Sequence, residues 1–159
     1  GNYRKLVAVD AGNTTHTGTL TETIVSSILI PANSLDALCD LFFSYDYGKS
    51  TGNATTIKAY LNTTNSLTGA TLFASYASGS YRNACFFRKM LLRGTNLDTQ
   101  ASTFTLLNNY ISEILFAPST VITLNPAVNN YILVTITLSN TGDVITTKRT
   151  ILEKLNLVP

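Results

Sequence analysis

Charged residues are scarce in this chain. They make up 13% of its 159 residues, whereas roughly 25% is usual in a soluble domain. The formal net charge is only +2. That is too mild for the basic stripe that contacts a nucleic-acid backbone, so we expect no nucleic-acid partner. Because so few charges repel neighbouring copies, the composition favours an oligomer or a part of a larger assembly.

Long hydrophobic runs are also missing. The longest candidate, YILVTITL at 131–138, is interrupted by threonines and is far shorter than the ~20 apolar residues of a membrane-spanning helix. Near the N-terminus, YRKLVAVDAGN has only four apolar residues after its basic pair, which does not fit a secretory signal. We therefore expect no membrane insertion.

Residues that commonly do chemistry are few. His16 is the single histidine, and nothing marks the partners that a triad or a zinc site would need. We interpret it as a loop residue facing solvent or a trimer axis. The three glutamates, Glu22, Glu113 and Glu153, are far apart in the sequence. The sequence predicts no catalytic residue, no metal site and no cofactor. A carboxylate pair that meets only in space stays open as an alternative.

The two cysteines, Cys39 and Cys85, are spaced like no metal or redox motif. In LDALCDLFFSYDY, Cys39 shares one strand face with apolar residues, whereas the aspartates share the other. A cysteine in such a position is typically a small buried hydrophobe. We expect both thiols to be free.

Threonine, asparagine and serine take the place of the missing charge and make up about a third of the chain. This composition favours strands and turns. Apolar residues alternate with polar ones in several segments, and the clearest rows that we expect in the core are Ile57, Ala59, Leu61, Ile132, Val134, Ile136 and Leu138. Helix is limited to single turns in 33–43 and 107–117. The sequence predicts an all-β, antiparallel two-sheet sandwich formed by one domain over 1–159.

Two turns punctuate this pattern. In ILIPANSL at 28–35, Pro31 cannot donate to a ladder and Asn33 favours a turn. We expect the chain to leave one sheet at Ile30 and to restart in the other at Leu35. Near the C-terminus, SNTGDV at 139–144 predicts a turn that returns VITTKRTIL as the strand paired with YILVTITL.

One segment, RNACFFRKMLLR at 82–93, is rich in basic and aromatic residues. One interpretation is an anion- or glycan-binding patch with a stacking aromatic ring. The other is a strand whose long basic side chains lie along a subunit boundary. The candidate residues for ligand or subunit contact are Arg82, Phe87, Arg88, Lys89 and Arg93.

Three stretches are distributed in order along most of the chain: TGTLTETIVSSILIPANSL at 17–35, TIKAYLNTTNSLTGATLFASY at 56–76 and NNYILVTITLSNTGDVITTKRTILE at 129–153. In order, they resemble a distal domain of tailed-bacteriophage virion appendages, the head or tail fibres and spikes of crAss-like and other Bacteroidota phages. The chain has Cys39-Asp40 where that family usually has Gly-Asp. The resemblance implies a jelly-roll-like sandwich, usually trimeric, similar in architecture to tumour-necrosis-factor-like heads.

The resemblance also implies a function, attachment to polysaccharide or protein on the host cell. The expected partners are two further copies in a homotrimer, other virion proteins and the host surface, and the expected location is the virion, assembled in the bacterial cytoplasm. A structural decoration or adaptor domain and a glycan-depolymerising module are the alternatives. We expect the trimer contact to use hydrophobes that one core cannot cover, namely Phe42, Phe86, Phe87 and Leu133.

Overall fold

The computed structural model describes residues 3–80, 82–107, 110–115 and 121–157. Within these ranges, twelve strands follow one another: β1 (Lys5–Asp10), β2 (Thr14–His16), β3 (Thr23–Ile30), β4 (Leu38–Lys49), β5 (Thr55–Asn62), β6 (Thr71–Ser78), β7 (Asn83–Arg93), β8 (Asn96–Leu107), β9 (Tyr110–Leu115), β10 (Val121–Thr123), β11 (Asn130–Leu138) and β12 (Ile145–Asn156). In the described part of the chain, no helix has the length and hydropathy of a membrane span.

The strands form two antiparallel sheets, as predicted. The larger sheet has the order β1-β12-β4-β7-β8-β10, with β2 beside β12 and β9 beside β8, and the smaller has the order β3-β11-β5-β6. When β2, β8, β9 and β10 are left out, eight strands remain, which can be renumbered 1 to 8 along the chain. In this numbering the larger sheet has the order 1-8-3-6 and the smaller sheet has the order 2-7-4-5. This is the arrangement of a jelly roll.

The core lies between the two sheets. All seven core residues predicted from alternation are at most 4% exposed. Phe43 lies at the centre, with its ring edge-on to Phe73 of the smaller sheet and to Phe86 of its own sheet. Cys39 is buried, and both cysteines are free thiols, as expected.

The corner predicted at Pro31 connects the two sheets. β3 ends at Ile30 in the smaller sheet and β4 begins in the larger one, at Leu38 rather than at Leu35. Asn33 adopts a left-handed backbone with φ of 63°, which asparagine tolerates better than most residues. The Ser34 hydroxyl donates to the Pro31 carbonyl at 2.6 Å and closes the turn.

The predicted pairing of the last two long strands is wrong. β11 pairs with β3 and β5, whereas β12 pairs with β1, β2 and β4 in the other sheet. The turn at 139–144 therefore crosses the sandwich instead of closing a hairpin. Alternation identifies the face of a strand that is buried, but it contains no information about the neighbouring strand. In a jelly roll, the seventh and eighth strands lie in different sheets.

Three smaller expectations also need correction. The segments in which single helical turns were predicted contain strand instead, namely the start of β4, the end of β8 and β9; residues 108, 109, 116 and 117 of the second segment lie outside the described residues. His16 is the last residue of β2, opposite Ile145, and not a loop residue. Pairing with β12 supplies hydrogen-bond partners for the backbone of this short strand. No local sequence pattern indicates that pairing.

Candidate functional site

The five residues proposed for ligand or subunit contact do not form one patch. In β7, Phe87, Lys89 and Arg93 lie on the outer face of the larger sheet, whereas Arg88 has the opposite parity and lies among core residues. Arg82 precedes the strand and is exposed, and its carbonyl accepts a hydrogen bond from the Lys49 amide. Three of the five thus share one strand face, but only Phe87 and Lys89 lie close together, because Arg93 is four residues further along β7, roughly 13 Å away.

Arg88 is a structural residue. Its side chain is 6% exposed, and burial lowers the pKa of its guanidinium. Nη1 donates to the backbone carbonyl of Phe73, which lies where the β5–β6 register shifts. A bulge leaves a backbone group without a ladder partner, and Arg88 supplies that partner from the facing sheet. The hypothesis that Arg88 contacts a ligand or another subunit does not fit this burial.

The aromatic side chains on the outer face of the larger sheet are already packed within the chain. The Arg4 guanidinium lies 3.7 Å from the centre of the Phe42 ring, and the Phe87 ring lies 6.4 Å from it. Lys89 lies near the same ring and also contacts Asp40, with 3.6 Å between Nζ and Oδ2. Phe42 is only 7% exposed as a result.

Three of the four hydrophobes expected at a trimer contact therefore have cover inside one subunit. Phe86 is 1% exposed and Leu133 is 0% exposed, and Phe42 lies under Arg4. Only Phe87 stays half-buried. The exposed hydrophobes of the larger sheet lie elsewhere, at Leu6 and Val9 on β1 and at Val121 on β10.

Arg93 borders a shallow depression of about 320 Å³ beside β10, with Asn96, Asp98, Leu91 and Val121 around it. Its guanidinium makes no ion pair or side-chain hydrogen bond within the described residues. The depression combines one cation with neutral and acidic polar groups.

The outer face of the smaller sheet carries a second and more ordered group of polar and aromatic residues, which we call the tyrosine face: Glu22, Lys58, Tyr60, Tyr131 and Thr135. Tyr60 lies opposite Leu133, and Tyr131 lies opposite Asn62, one row further along the same strand pair. The two tyrosines are therefore diagonal neighbours on one face, close enough for long side chains to interact. Both are half-buried.

A carboxylate holds this face together. Glu22 Oε1 accepts hydrogen bonds from the Tyr60 hydroxyl and from the Thr135 hydroxyl, each at 2.7 Å. Lys58 Nζ lies 3.8 Å from the other carboxylate oxygen. These contacts fix the orientation of the Tyr60 ring.

The ionisation states of these groups follow from their contacts. Burial alone raises the pKa of Glu22, but the hydrogen bonds from Tyr60 and Thr135 and the charge of Lys58 outweigh it, so its pKa lies below the ordinary value. Burial, with the hydrogen bond to Glu22, raises the pKa of Tyr60 to about 12. At neutral pH, the face thus presents a neutral tyrosine beside a paired carboxylate.

The β5–β6 loop forms the rim of the tyrosine face. The Asn62 amide donates to the carbonyls of Ser66 and Thr68, at 2.7 and 3.0 Å, and so organises the loop. Ser27 donates to Asn65 Oδ1 at 2.7 Å. The Asn65 amide nitrogen makes no hydrogen bond in the described ranges, so it can donate to a ligand.

Among the side chains that the structure describes, none forms a catalytic centre with the single histidine, His16. The Ser26 hydroxyl donates to Asp10 at 2.7 Å and contacts Thr150, but Asp10 pairs with Thr150 whereas His16 pairs with Ile145. Five positions along a strand correspond to about 15 Å. The described residues contain no group of three or more potential metal ligands. The side chain of Glu113 lies outside the described part, and the absence of catalysis stays a prediction.

Alternation places Tyr60 and Tyr131 on the sides of their strands opposite the predicted core rows. Because the sequence pattern led to the pairing of β11 with β12, the adjacency of β5 and β11 was missed. Aromatic residues on the polar side of alternating strands are the signal that could have indicated this face.

No protein-family model and no curated protein matches the chain. Among solved structures, it is similar to the carbohydrate esterase of the Shiga toxin-encoding bacteriophage phi24B, with 12% identity, 98% of this chain and 88% of that chain covered, and a TM-score of 0.35. A legume lectin-like domain from Entamoeba histolytica is 10% identical over 94% of this chain and 88% of that one, with a TM-score of 0.37. The structure of the Gx strain of infectious bursal disease virus is 10% identical over 97% of this chain and 41% of that chain, with a TM-score of 0.31. All three TM-scores are low, so the jelly-roll assignment rests on the strand order alone.

Proposed function

We propose that this jelly roll is a non-catalytic domain of a bacteriophage virion appendage, a fibre or spike, and that its tyrosine face binds carbohydrate on the host surface. The observation that carries the proposal is that Tyr60 and Tyr131 are diagonal neighbours on one face, with the Tyr60 hydroxyl held by Glu22. Tyrosine rings suit the C–H faces of sugars, and their hydroxyls suit sugar oxygens, because each ring is apolar with a polar tip.

The rigidity of the face supports this proposal. Tyr60 and Tyr131 stand on paired strands, and Glu22 holds Tyr60 through a 2.7 Å hydrogen bond. Leu133 lies between Tyr131 and Thr135 on the same side of β11, opposite Tyr60, and it is fully buried, so neighbouring side chains pack closely over it. A site held on strands loses little freedom on binding, which favours affinity even for a shallow surface.

The charge of the face suits a neutral ligand. Lys58 lies close to Glu22 and balances its carboxylate, so the pair contributes no net charge to the face. The face therefore offers no unpaired positive charge that would attract a strongly acidic polysaccharide.

The phage origin and the trimer are supported by different observations. The segments at 17–35 and 56–76 resemble phage appendage domains, and the strand order agrees with the jelly roll that this resemblance implies. For the trimer, Leu6, Val9 and Val121 are 57%, 48% and 60% exposed on the larger sheet, away from the tyrosine face. Three copies of a weak site would raise avidity through effective concentration.

The test is binding of the purified chain to an array of bacterial surface polysaccharides, followed by titration of the strongest one. Tyr131→Ala should weaken that binding about tenfold, in line with the loss of an aromatic anchor. Tyr3→Ala is the matched control, because Tyr3 is 66% exposed and does not belong to the tyrosine face. Equal binding by wild type and Tyr131→Ala would refute this site.

Two other results would replace the proposal. If no polysaccharide binds but the chain co-assembles with other virion proteins, a decoration or adaptor role follows. If reducing ends appear during incubation with a bound polysaccharide, the chain is a depolymerising module, and the non-catalytic reading is wrong.

A further inference from the structure

A cleft of about 390 Å³ opens at the end of the sandwich where β3 ends and β11 begins. Three connections build it, those between β3 and β4, β7 and β8, and β10 and β11. Its apolar floor consists of Leu35, which is buried, and Pro126, which is half-buried. Its polar residues, Asn33, Thr95 and Asn125, are exposed. We call it the loop-end cleft. Its volume lies within the range of small-molecule sites.

The backbone of the loop-end cleft is held by hydrogen bonds between separate connections. The backbone amide of Asn33, a residue in the left-handed conformation, donates to the Pro126 carbonyl at 2.7 Å. Gly94, also left-handed with φ of 62°, donates to the Ala37 carbonyl at 2.6 Å. A left-handed residue other than glycine persists where its surroundings hold it, and such residues cluster at ligand sites. The cleft is preorganised.

Its polar side chains have unused hydrogen-bonding capacity. Asn125 Oδ1 accepts from the Ala127 amide at 3.0 Å, which leaves its NH₂ group available. The side chains of Asn33 and Thr95 make no hydrogen bond within the described residues, and both residues are exposed. None of the residues that line the cleft is charged.

We infer that the loop-end cleft binds one neutral sugar residue that carries an acetamido group. An acetamido group offers one N–H donor, one carbonyl acceptor and a methyl group. The amide groups of Asn33 and Asn125 complement the first two, and the apolar floor suits the methyl group. None of the lining residues offers a charge to pair with a uronic acid or another ionic sugar, and the nearby Asp36 is already paired with Lys154, so the lining favours a neutral sugar.

This inference rests on the proposed carbohydrate-binding function and adds a second site with a defined ligand class. The tyrosine face is near, because Tyr131 directly follows Asn130, whose side-chain amide holds the β10–β11 connection through the carbonyls of Asn125 and Val128. A glycan chain can therefore contact both sites from one end of the sandwich.

The test uses the ¹⁵N-labelled chain, titrated with the methyl glycosides of N-acetylglucosamine and N-acetylgalactosamine and, for comparison, of glucose and galactose. At least one acetamido sugar should shift the backbone signals of Gly94 and Thr95 and the side-chain amide signals of Asn33 and Asn125. Millimolar affinity is expected of a single shallow site. The parent sugar should bind at least about tenfold more weakly.

Two variants remove the amide donors with little change to the backbone. Asn33→Gly keeps the left-handed conformation accessible, and Asn125→Asp keeps the oxygen that accepts from Ala127. Each should weaken acetamido-sugar binding by about fivefold or more, as expected for a lost hydrogen bond of about 1 kcal/mol. Asn140→Gly is the control, since Asn140 is exposed in the turn at the opposite end and should leave the affinity unchanged.

The possible results separate this inference from the proposed function. Absence of shifts around the cleft, or equal binding of acetamido and parent sugars, overturns the inference; polysaccharide binding that is lost in Tyr131→Ala would then leave the proposed function intact. Shifts at the cleft that depend on Asn33 and Asn125 support the inference, even if Tyr131→Ala binds polysaccharide normally and the tyrosine face is refuted.

Discussion

The guanidinium of Arg88 reaches across the interior of the sandwich and donates to the backbone carbonyl of Phe73. The two residues belong to different sheets, β7 in the larger and β6 in the smaller. A buried cation thus satisfies a carbonyl at a strand bulge, and the contact ties the outermost strand of the smaller sheet to the core.

Arg88→Ala should lower the free energy of unfolding by about 2 kcal/mol or more, because it leaves a buried carbonyl unsatisfied and opens a cavity. Urea unfolding measures this change. Arg93→Ala, on the exposed side of the same strand, should stay within about 0.5 kcal/mol of wild type. If the two variants are equally stable, Arg88 does not have this structural role.

Val134→Asp should abolish soluble folded protein. Val134 is fully buried, and a buried unpaired carboxylate is strongly disfavoured. Thr137→Asp, on the outer face of the same strand, should fold and show a circular dichroism spectrum like that of wild type. A folded Val134→Asp with unchanged melting would contradict the register of β11.

The stabilising effect of Glu22 should depend on pH. Its pKa in the folded protein lies below the ordinary value of 4.5, so the folded state favours the carboxylate. The resulting stability is present above that ordinary value and is lost as the pH falls through the lower folded pKa. The difference in melting temperature between wild type and Glu22→Gln should therefore shrink from neutral pH to about pH 3. A constant difference would show that ionisation of Glu22 is not involved.

Both cysteines should resist thiol reagents in the native protein. Burial raises the pKa of Cys39 to about 11, and burial with the neighbouring Asp46 raises that of Cys85 to about 12. Because the thiolate is the reactive form, a disulfide reagent at mildly alkaline pH should react slowly with the native chain and rapidly with both thiols in denaturant. Rapid reaction of the native chain, traced to one thiol with Cys85→Ser, would contradict this environment.

The chain should form trimers at micromolar concentration, and Val9→Glu should weaken them. Val9 is 48% exposed on the larger sheet, and a charge at a subunit contact must lose its water. Light scattering gives the mass, and Thr137→Glu on the smaller sheet is the control. A monomer mass that does not change with concentration would exclude the trimer and leave Leu6, Val9 and Val121 without a partner.

The sequence alone determined which residues of most strands face the core. Ile57 and Val134 follow from period-two alternation, and the sheet crossing at Pro31 follows from its missing amide hydrogen. Both are local properties of the chain, because a strand must point alternate side chains to opposite faces and proline must interrupt a ladder wherever it lies. The free thiol of Cys39 follows from its position in the same pattern.

Only the tertiary structure decided which strands are neighbours and which face of β7 is inner. Phe86, Arg88 and Met90 alternate with Phe87, Lys89 and Leu91, so each face of β7 carries both apolar and basic residues, and the pattern does not distinguish them. Likewise, Tyr60 and Tyr131 lie on one surface because β5 pairs with β11, and Asn33 reaches Pro126 because two distant connections meet at one end of the sandwich. Such contacts depend on strand order, which the jelly-roll topology sets through long-range packing and which no local pattern encodes.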